Sequence, residues 1–168
     1  MTVQLHAQPY DITALGFYFE SHEDFADKTA QARNSYGDPV EEFEIQFIDG
    51  DDIDCDLAKA IGINQANFKQ YFEAVENWDD PGKTRVILAV GECGYRFEAH
   101  TQPDTFDLDI YEVDSLRELA EQFVDEGLFG DIPERLSFYL DYDAIARDLS
   151  VDYAEATVAG RRLVYRCG

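Results

Sequence analysis

The chain has 168 residues, of which 36 are acidic and 13 are basic, and its formal net charge is -23. So large a negative charge repels nucleic acid and excludes a DNA- or RNA-binding protein. Hydrophobic residues make up 45% of the chain and aromatic residues 14%, too much for a disordered acidic tail, so we expect a folded protein. No apolar run has the length of a membrane span, and the N-terminal residues lack a signal-peptide pattern. We therefore expect a cytoplasmic protein with no membrane partner.

The acidic residues are concentrated towards the two ends of the chain. Residues 1–60 contain 14 acidic and 3 basic side chains, residues 61–100 contain 6 and 4, and residues 101–168 contain 16 and 6. Only 4 of the 13 basic residues are Lys. A halophilic protein has a similar composition, so composition leaves two interpretations open: adaptation to salt and an anionic surface with a function.

The first third of the chain is predicted to contain three strands and one helix. Alternating apolar residues at 3–7 and 15–19 predict two strands, and the same alternation at 43–47 predicts a third with carboxylates on its outer face. Ser21 is the predicted N-cap of a helix that ends before the turn at 36–39. This pattern predicts a three-stranded sheet packed against one helix.

The middle of the chain is predicted to be mainly helical. An acidic run at 49–56 leads to a short helix at 57–61, and Asn64 is placed to cap a helix with an apolar stripe from Phe68 to Trp78. The segment near 80–90 fits a helix that begins at Asp80 and Pro81. Its five consecutive apolar residues would equally suit a buried strand, so both alternatives stay open.

The last third again predicts a small sheet with helices, which makes the fold class α+β. We predict a strand at 107–113, a helix that begins at the Ser115–Glu118 capping box and ends at Gly127, and a hairpin that turns at Ala159 and Gly160. Between the first helix and the hairpin, Pro133 opens a predicted helix that runs through Tyr139. Asp143 is the predicted cap of a helix that continues to Leu149.

No motif in the sequence indicates catalysis, a cofactor or a metal centre. The three His residues are isolated, and nucleotide-binding, nucleophile-elbow and zincin motifs are missing. The cysteines Cys55, Cys93 and Cys167 form no C-x-x-C pair, so we expect reduced thiols, with neither a zinc site nor a disulfide framework. An EF-hand register that begins at Asp52 has Leu57 where Gly is needed and Ile63 where Glu is needed, which leaves only weak cation binding.

Spacing suggests a different role for the carboxylates. Alternate strand residues recur every ~6.6 to 6.8 Å and helix residues three or four apart lie ~5 to 6 Å from each other, close to the ~6 to 7 Å between DNA phosphates. The alternative is that these rows are only solvated faces. The predicted phosphate-mimicking surface consists of Glu42, Glu44, Asp49, Asp51, Asp52, Asp54, Asp56, Asp107, Asp109, Glu118, Glu121, Asp125 and Glu126.

Residues 128–149 carry a specific sequence, LFGDIPERLSFYLDYDAIARDL. It resembles the antirestriction motif of the ArdA family of antirestriction proteins, in which Gly and Pro precede L-x-x-Y-[IL]-D-Y and A-R-D-L follows. The resemblance extends to residues 115–127, 16–19 and 39–45, and it is weakest at residues 79–106. We refer to residues 128–149 as the antirestriction segment.

The resemblance implies an elongated chain of three small domains that forms a curved homodimer shaped like bent B-form DNA. The corresponding domains are residues 1–60 (α+β), 61–103 (mainly helical) and 104–168 (α+β, with the antirestriction segment). Such a protein is not an enzyme and needs no cofactor. It competes with DNA for the groove formed by the specificity and methyltransferase subunits of type I restriction–modification enzymes.

Within the antirestriction segment, apolar residues at helical spacing predict core or dimer contacts rather than contacts with the enzyme. Leu136, Tyr139 and Tyr142 are predicted to share a helix face, so truncation of Tyr139 should affect the fold or the dimer. The segment's predicted core or dimer residues are Leu128, Pro133, Leu136, Tyr139, Leu140, Asp141, Tyr142, Ala146, Arg147, Asp148 and Leu149. The alternative function is an acidic protein that binds a cation or another basic partner and has no antirestriction activity.

Overall fold

The computed structural model of the chain describes residues 1–168 and contains two three-stranded antiparallel sheets, each with its own helices. The residues group into two units, Met1–Phe106 and Asp107–Gly168. The predicted α+β class is confirmed. The arrangement of three elongated domains stays a prediction, and its boundary between residues 60 and 61 lies inside the first unit.

The sheet of the first unit has β1 (Gln4–Pro9) at its centre, between β2 (Phe17–Phe19) and β3 (Phe43–Asp49). Both pairs are antiparallel, with Leu5 opposite Phe19 on one side and Ala7 opposite Ile45 on the other. These four apolar residues are buried. The three strands predicted from alternation are therefore present.

Aromatic packing joins this sheet to two helices of the first unit. Helix α1 (His22–Gln31) begins as predicted, since the Ser21 hydroxyl accepts a hydrogen bond from the Asp24 amide. Phe25 of α1 lies 5.0 Å from Phe19 between ring centroids and 4.7 Å from Phe68, the first residue of α3 (Phe68–Asn77). The sheet and α3 thus share one aromatic core.

Two further helices of the first unit pack on each other, α2 (Asp52–Ile61) and α4 (Asp80–Gly91). Helix α2 begins five residues earlier than predicted, because Asp51 is its N-cap and carboxylates in the first turn favour a helix start. Residues 80–91 are helical and not a buried strand, and the carboxylate of Asp79 caps them by accepting from the Gly82 amide.

The sheet of the second unit has the order β4-β6-β5, with β4 (Leu108–Tyr111), β5 (Ala154–Val158) and β6 (Arg161–Cys167) all antiparallel. The hairpin turns at the predicted pair, Ala159 and Gly160, whose φ angles are 50° and 77°. Two positive φ angles match a turn that follows the twist of the strands.

Helix α5 (Leu116–Asp125) covers this sheet, with Leu119 and Phe123 packed against Val164. After α5 the structure departs from the prediction. Residues Glu134–Tyr139 form a short 3-10 helix, and α6 (Tyr142–Leu149) is capped by Asp141 rather than by Asp143. Leu140 between them is extended, so Tyr139 and Tyr142 do not share a helix face as predicted.

Two further expectations concern the membrane and the cysteines. None of the helices has the length and apolar character that a membrane crossing requires. Cys55 is a free cysteine. Cys93 and Cys167 are each disulfide-bonded, so the expectation of reduced thiols is wrong for these two residues.

Candidate acidic interaction surface

The acidic side chains face solvent in both units. The first unit contains 21 acidic and 7 basic residues, and the second contains 15 and 6. Each unit therefore carries a net negative charge of its own. All acidic residues are exposed apart from five, which are Asp11, Asp24, Asp54, Asp56 and Glu121.

The β3 edge presents the first predicted row. Glu42 and Glu44 are exposed and alternate with Phe43 and Ile45, which are buried. β3 is an edge strand of its sheet, so one of its sides has no neighbouring strand. The alternation of exposed and buried residues places the two carboxylates on the outer face of the sheet, as predicted.

A second group of carboxylates surrounds the start of α2. Asp49, Asp51 and Asp52 are exposed, while Asp56 is half-buried. The Asp49 carboxylate accepts a hydrogen bond from the Gly50 amide, and Asp51 lies 3.5 Å from the N-terminal ammonium group of Met1. The helix dipole stabilises negative charge at this position, which gives Asp51 and Asp52 a structural role as well as an electrostatic one.

Asp54, the fourth acid of this segment, was predicted at the surface but is buried. It is 2% exposed, and its Oδ1 atom lies 2.8 Å from Nζ of Lys83, which is 7% exposed. The prediction was wrong because it used strand spacing, whereas residues two apart on a helix point in nearly opposite directions. Asp52 therefore faces solvent and Asp54 faces α4.

The third row follows α5, where Glu118, Asp125 and Glu126 are exposed and Glu121 is half-buried. The Ser115 hydroxyl caps α5 as predicted by accepting from the Glu118 amide, while the Glu118 carboxylate accepts from the Asp114 amide, one residue before the N-cap. The negative charge of the row is partly neutralised, because the Nε atom of Arg117 lies 3.4 Å from the Oε1 atom of Glu121.

Arg117 also contacts α6, where its Nη1 atom lies 2.8 Å from Asp143. The hydrogen bond and charge of Asp143, and more weakly those of Glu121, raise the pKa of Arg117. Its positive charge therefore persists beside the α5 row, and Glu121 is the member of the row that it pairs with.

The β4 row is short and also partly paired. Asp107 and Asp109 are exposed, and Arg166 on the neighbouring strand β6 lies 3.4 Å from Asp109. The Arg166 guanidinium group lies over the ring of Tyr153, 5.5 Å from its centroid. The positive charge near the end of the chain thus neutralises part of this row.

Sequence reasoning missed carboxylates in α1 and α3. Glu23 and Asp27 on α1 are four residues apart, Glu73 and Glu76 on α3 are three apart, and all four are exposed. None of the four forms an ion pair within the chain. The same helical spacing that selected the α5 row would have found them.

The antirestriction segment exposes large apolar side chains instead of burying them. Phe138 is 89% exposed and Tyr139 is 83% exposed, and Leu128, Phe129 and Leu136 are also exposed. Leu128, Leu136 and Tyr139 were predicted to be core or dimer residues; they are not core residues within one chain, and the dimer contact stays a prediction. Leu136, Phe138 and Tyr139 lie in the short 3-10 helix, and none of the five exposed residues belongs to the core cluster of the second unit.

The other members of the segment are divided between the core and the surface. Leu149 packs against the core formed by Leu119, Phe123 and Val164. Leu140, Tyr142 and Ala146 are half-buried, and the Arg117 guanidinium lies 5.8 Å from the Tyr142 ring centroid. The exposed polar or proline members are Pro133, Asp141, Arg147 and Asp148.

No part of this surface forms a metal centre: the structure contains no group of three or more His, Cys, Asp or Glu side chains that could hold a metal ion. Comparison with known protein families gives one result, a match of residues 18–161 to the family described as antirestriction protein (ArdA). This span includes the whole antirestriction segment and most of both units. No curated protein matches the chain.

Proposed function

Because the chain belongs to the ArdA family of antirestriction proteins, we propose that it inhibits type I restriction–modification enzymes by mimicking B-form DNA. It occupies the DNA-binding groove of the specificity and methyltransferase subunits, and it does so without catalysis or a cofactor. The observation that carries the proposal is the exposure of the carboxylates, since all but five of the 36 acidic residues face solvent.

Electrostatics explains how such a surface competes with DNA. A groove that binds duplex DNA presents Lys and Arg side chains at the positions of phosphates. Exposed ion pairs contribute only about 0.2–1 kcal/mol each, so affinity has to come from many carboxylates acting together. The summed negative field also steers the protein towards a basic groove and accelerates encounter.

The second part of the proposal is a homodimer formed through the antirestriction segment. The five exposed apolar residues of this segment, Leu128, Phe129, Leu136, Phe138 and Tyr139, fall within a short stretch of chain. Exposed apolar patches of this kind are typical of protein–protein interfaces. In a two-fold dimer the same patch of each copy is covered by the other, which removes these side chains from water.

A competition experiment tests the proposed function. A purified type I methyltransferase is bound to fluorescently labelled duplex DNA that contains its recognition site, and this protein is added while anisotropy is measured. We expect the protein to displace the DNA completely, with a half-maximal concentration that rises with the DNA concentration, as competition requires. Restriction inhibited with the DNA still bound would contradict mimicry.

A further inference from the structure

A cavity in the first unit lies beside the α3 carboxylates described above and shares Glu73 with them. It has a volume of about 280 Å³ and lies between the second half of α3 and the segment of residues 97–102. Pockets for drug-sized ligands have volumes of about 300–1,000 Å³, so this cavity suits a single side chain or a small ion.

The walls of the cavity combine two aromatic rings with two carboxylates. The rings of Trp78 and Phe97 lie 6.3 Å apart at an angle of 82°, and the carboxylates belong to Glu73 and Glu98. No Lys or Arg lines the cavity, and neither carboxylate takes part in an ion pair. The carboxylates would repel an anion. A cation would be attracted by the carboxylates and could also pack on an aromatic ring.

One of the residues that line the cavity has a side-chain acceptor atom without a hydrogen-bond partner. The Gln70 Oε1 atom is buried and has no hydrogen-bond partner, and the Gln70 side chain lines the cavity. Buried polar atoms are usually paired, and this atom is closed to water, so it meets a donor in the cavity only if the Gln70 side chain rotates. After that rotation, a ligand that carries several N–H donors in addition to its positive charge would pair with it.

We propose that this cavity receives the guanidinium group of an arginine from the DNA-binding groove of the target restriction enzyme. A guanidinium group is planar, keeps its charge, donates through several N–H groups to carboxylates and amides, and stacks on aromatic rings. An ammonium group lacks the planar face and the fork of donors. This inference rests on the proposed function, because the arginine is supplied by the enzyme.

The cavity can be probed directly, because Trp78 is the only Trp in the chain. The probe is N-acetyl-arginine amide, titrated into the protein at constant ionic strength while tryptophan fluorescence is followed. We expect a saturable change with a dissociation constant in the millimolar range, as one side chain allows. The neutral isostere N-acetyl-citrulline amide should give no saturable change, and equal responses to the two probes would overturn the guanidinium assignment.

Variants then connect the cavity to the target enzyme. The double variant Glu73→Gln with Glu98→Gln removes both carboxylates of the cavity. The matched control, Glu20→Gln with Glu92→Gln, changes the net charge equally at exposed residues outside the cavity and outside the acidic rows. We expect the first variant to lose the arginine response and to need about tenfold more protein than the control to displace DNA, the effect of losing one charge-assisted contact.

The outcomes separate this inference from the proposed function. If the wild-type protein displaces DNA but both double variants do so at the same concentration, the arginine contact is wrong and the proposed function stands. If the wild-type protein never displaces DNA, the proposed function fails, and with it the assignment of the arginine to the restriction enzyme. A fluorescence titration without saturation overturns the cavity as a guanidinium site in either case.

Discussion

Lys83 and Asp54 form a buried ion pair between α4 and α2, with 2.8 Å between Nζ and Oδ1. The contact is electrostatic, because the Oδ1 atom of Asp54 accepts no hydrogen bond of suitable geometry. Tyr71 of α3 closes the arrangement by donating its hydroxyl proton to the backbone oxygen of Asp54, at 2.7 Å. Three helices of the first unit therefore meet at one acidic residue that cannot serve as a phosphate mimic.

The first prediction concerns this ion pair. Asp54→Asn should lower the free energy of unfolding by about 3–5 kcal/mol, because it leaves the Lys83 charge buried without a partner. Asp52→Asn at the exposed first residue of the same helix should lower it by no more than about 1 kcal/mol, the loss of its interaction with the helix dipole. Urea unfolding measures both. Equal stabilities for the two variants would show that Asp54 is not held in a buried pair.

The second prediction concerns the distribution of charge. Replacing Glu42, Glu44, Asp49 and Asp52 together by their amides should weaken DNA displacement about tenfold or more, since four contacts of about 0.2–1 kcal/mol add up. Each single replacement should change the half-maximal concentration only a few-fold. Circular dichroism checks the fold of every variant. A single replacement that abolished displacement in a folded protein would indicate a discrete site instead.

The third prediction concerns ionic strength. Displacement of DNA by this protein should be measured from low to moderately high salt, with direct binding to the methyltransferase followed in parallel by titration. Binding should weaken steeply as salt rises, because exposed charges more than about 10 Å apart are screened at 0.1 M salt. An affinity that does not change over this range would rule out a mechanism based on carboxylates in place of phosphates.

The fourth prediction concerns the antirestriction segment. Tyr139→Ala should leave the stability of the isolated chain within about 0.5 kcal/mol of wild type, because the side chain is 83% exposed. It should nevertheless shift sedimentation towards monomer at low protein concentration. Leu119→Ala, a fully buried control, should cost about 2–5 kcal/mol. A Tyr139→Ala protein that dimerises like wild type would place the dimer contact elsewhere.

The fifth prediction concerns alkaline pH. Burial, and secondarily the charge of Asp54, raise the pKa of the Tyr71 hydroxyl well above its ordinary value. The neutral phenol is thus favoured in the folded state, so its contribution to stability is complete below pH 10 and falls as the pH rises further. Tyr71→Phe should reduce the slope of stability against pH above 10, whereas the exposed control Tyr36→Phe should not. Unfolding followed at several alkaline pH values gives both slopes.

The sequence by itself predicted the local structure with few errors. Alternation identified β1, β2 and β3, the capping residues Ser21 and Ser115 marked where α1 and α5 begin, and the antirestriction segment identified the family. These features depend on neighbours along the chain, which the sequence contains directly. The exposed acids of the β3 edge followed from the same local alternation.

The tertiary structure alone decided which faces are buried. Asp54 is buried because α4 brings Lys83 against α2, and Tyr139 is exposed because a 3-10 helix and the extended Leu140 replace the predicted helix. The cavity at Trp78 likewise requires residues 97–102 to lie against α3. The burial of Asp54 and the cavity at Trp78 depend on contacts between residues far apart in the chain, and the period of a single segment does not specify which other segment will cover it.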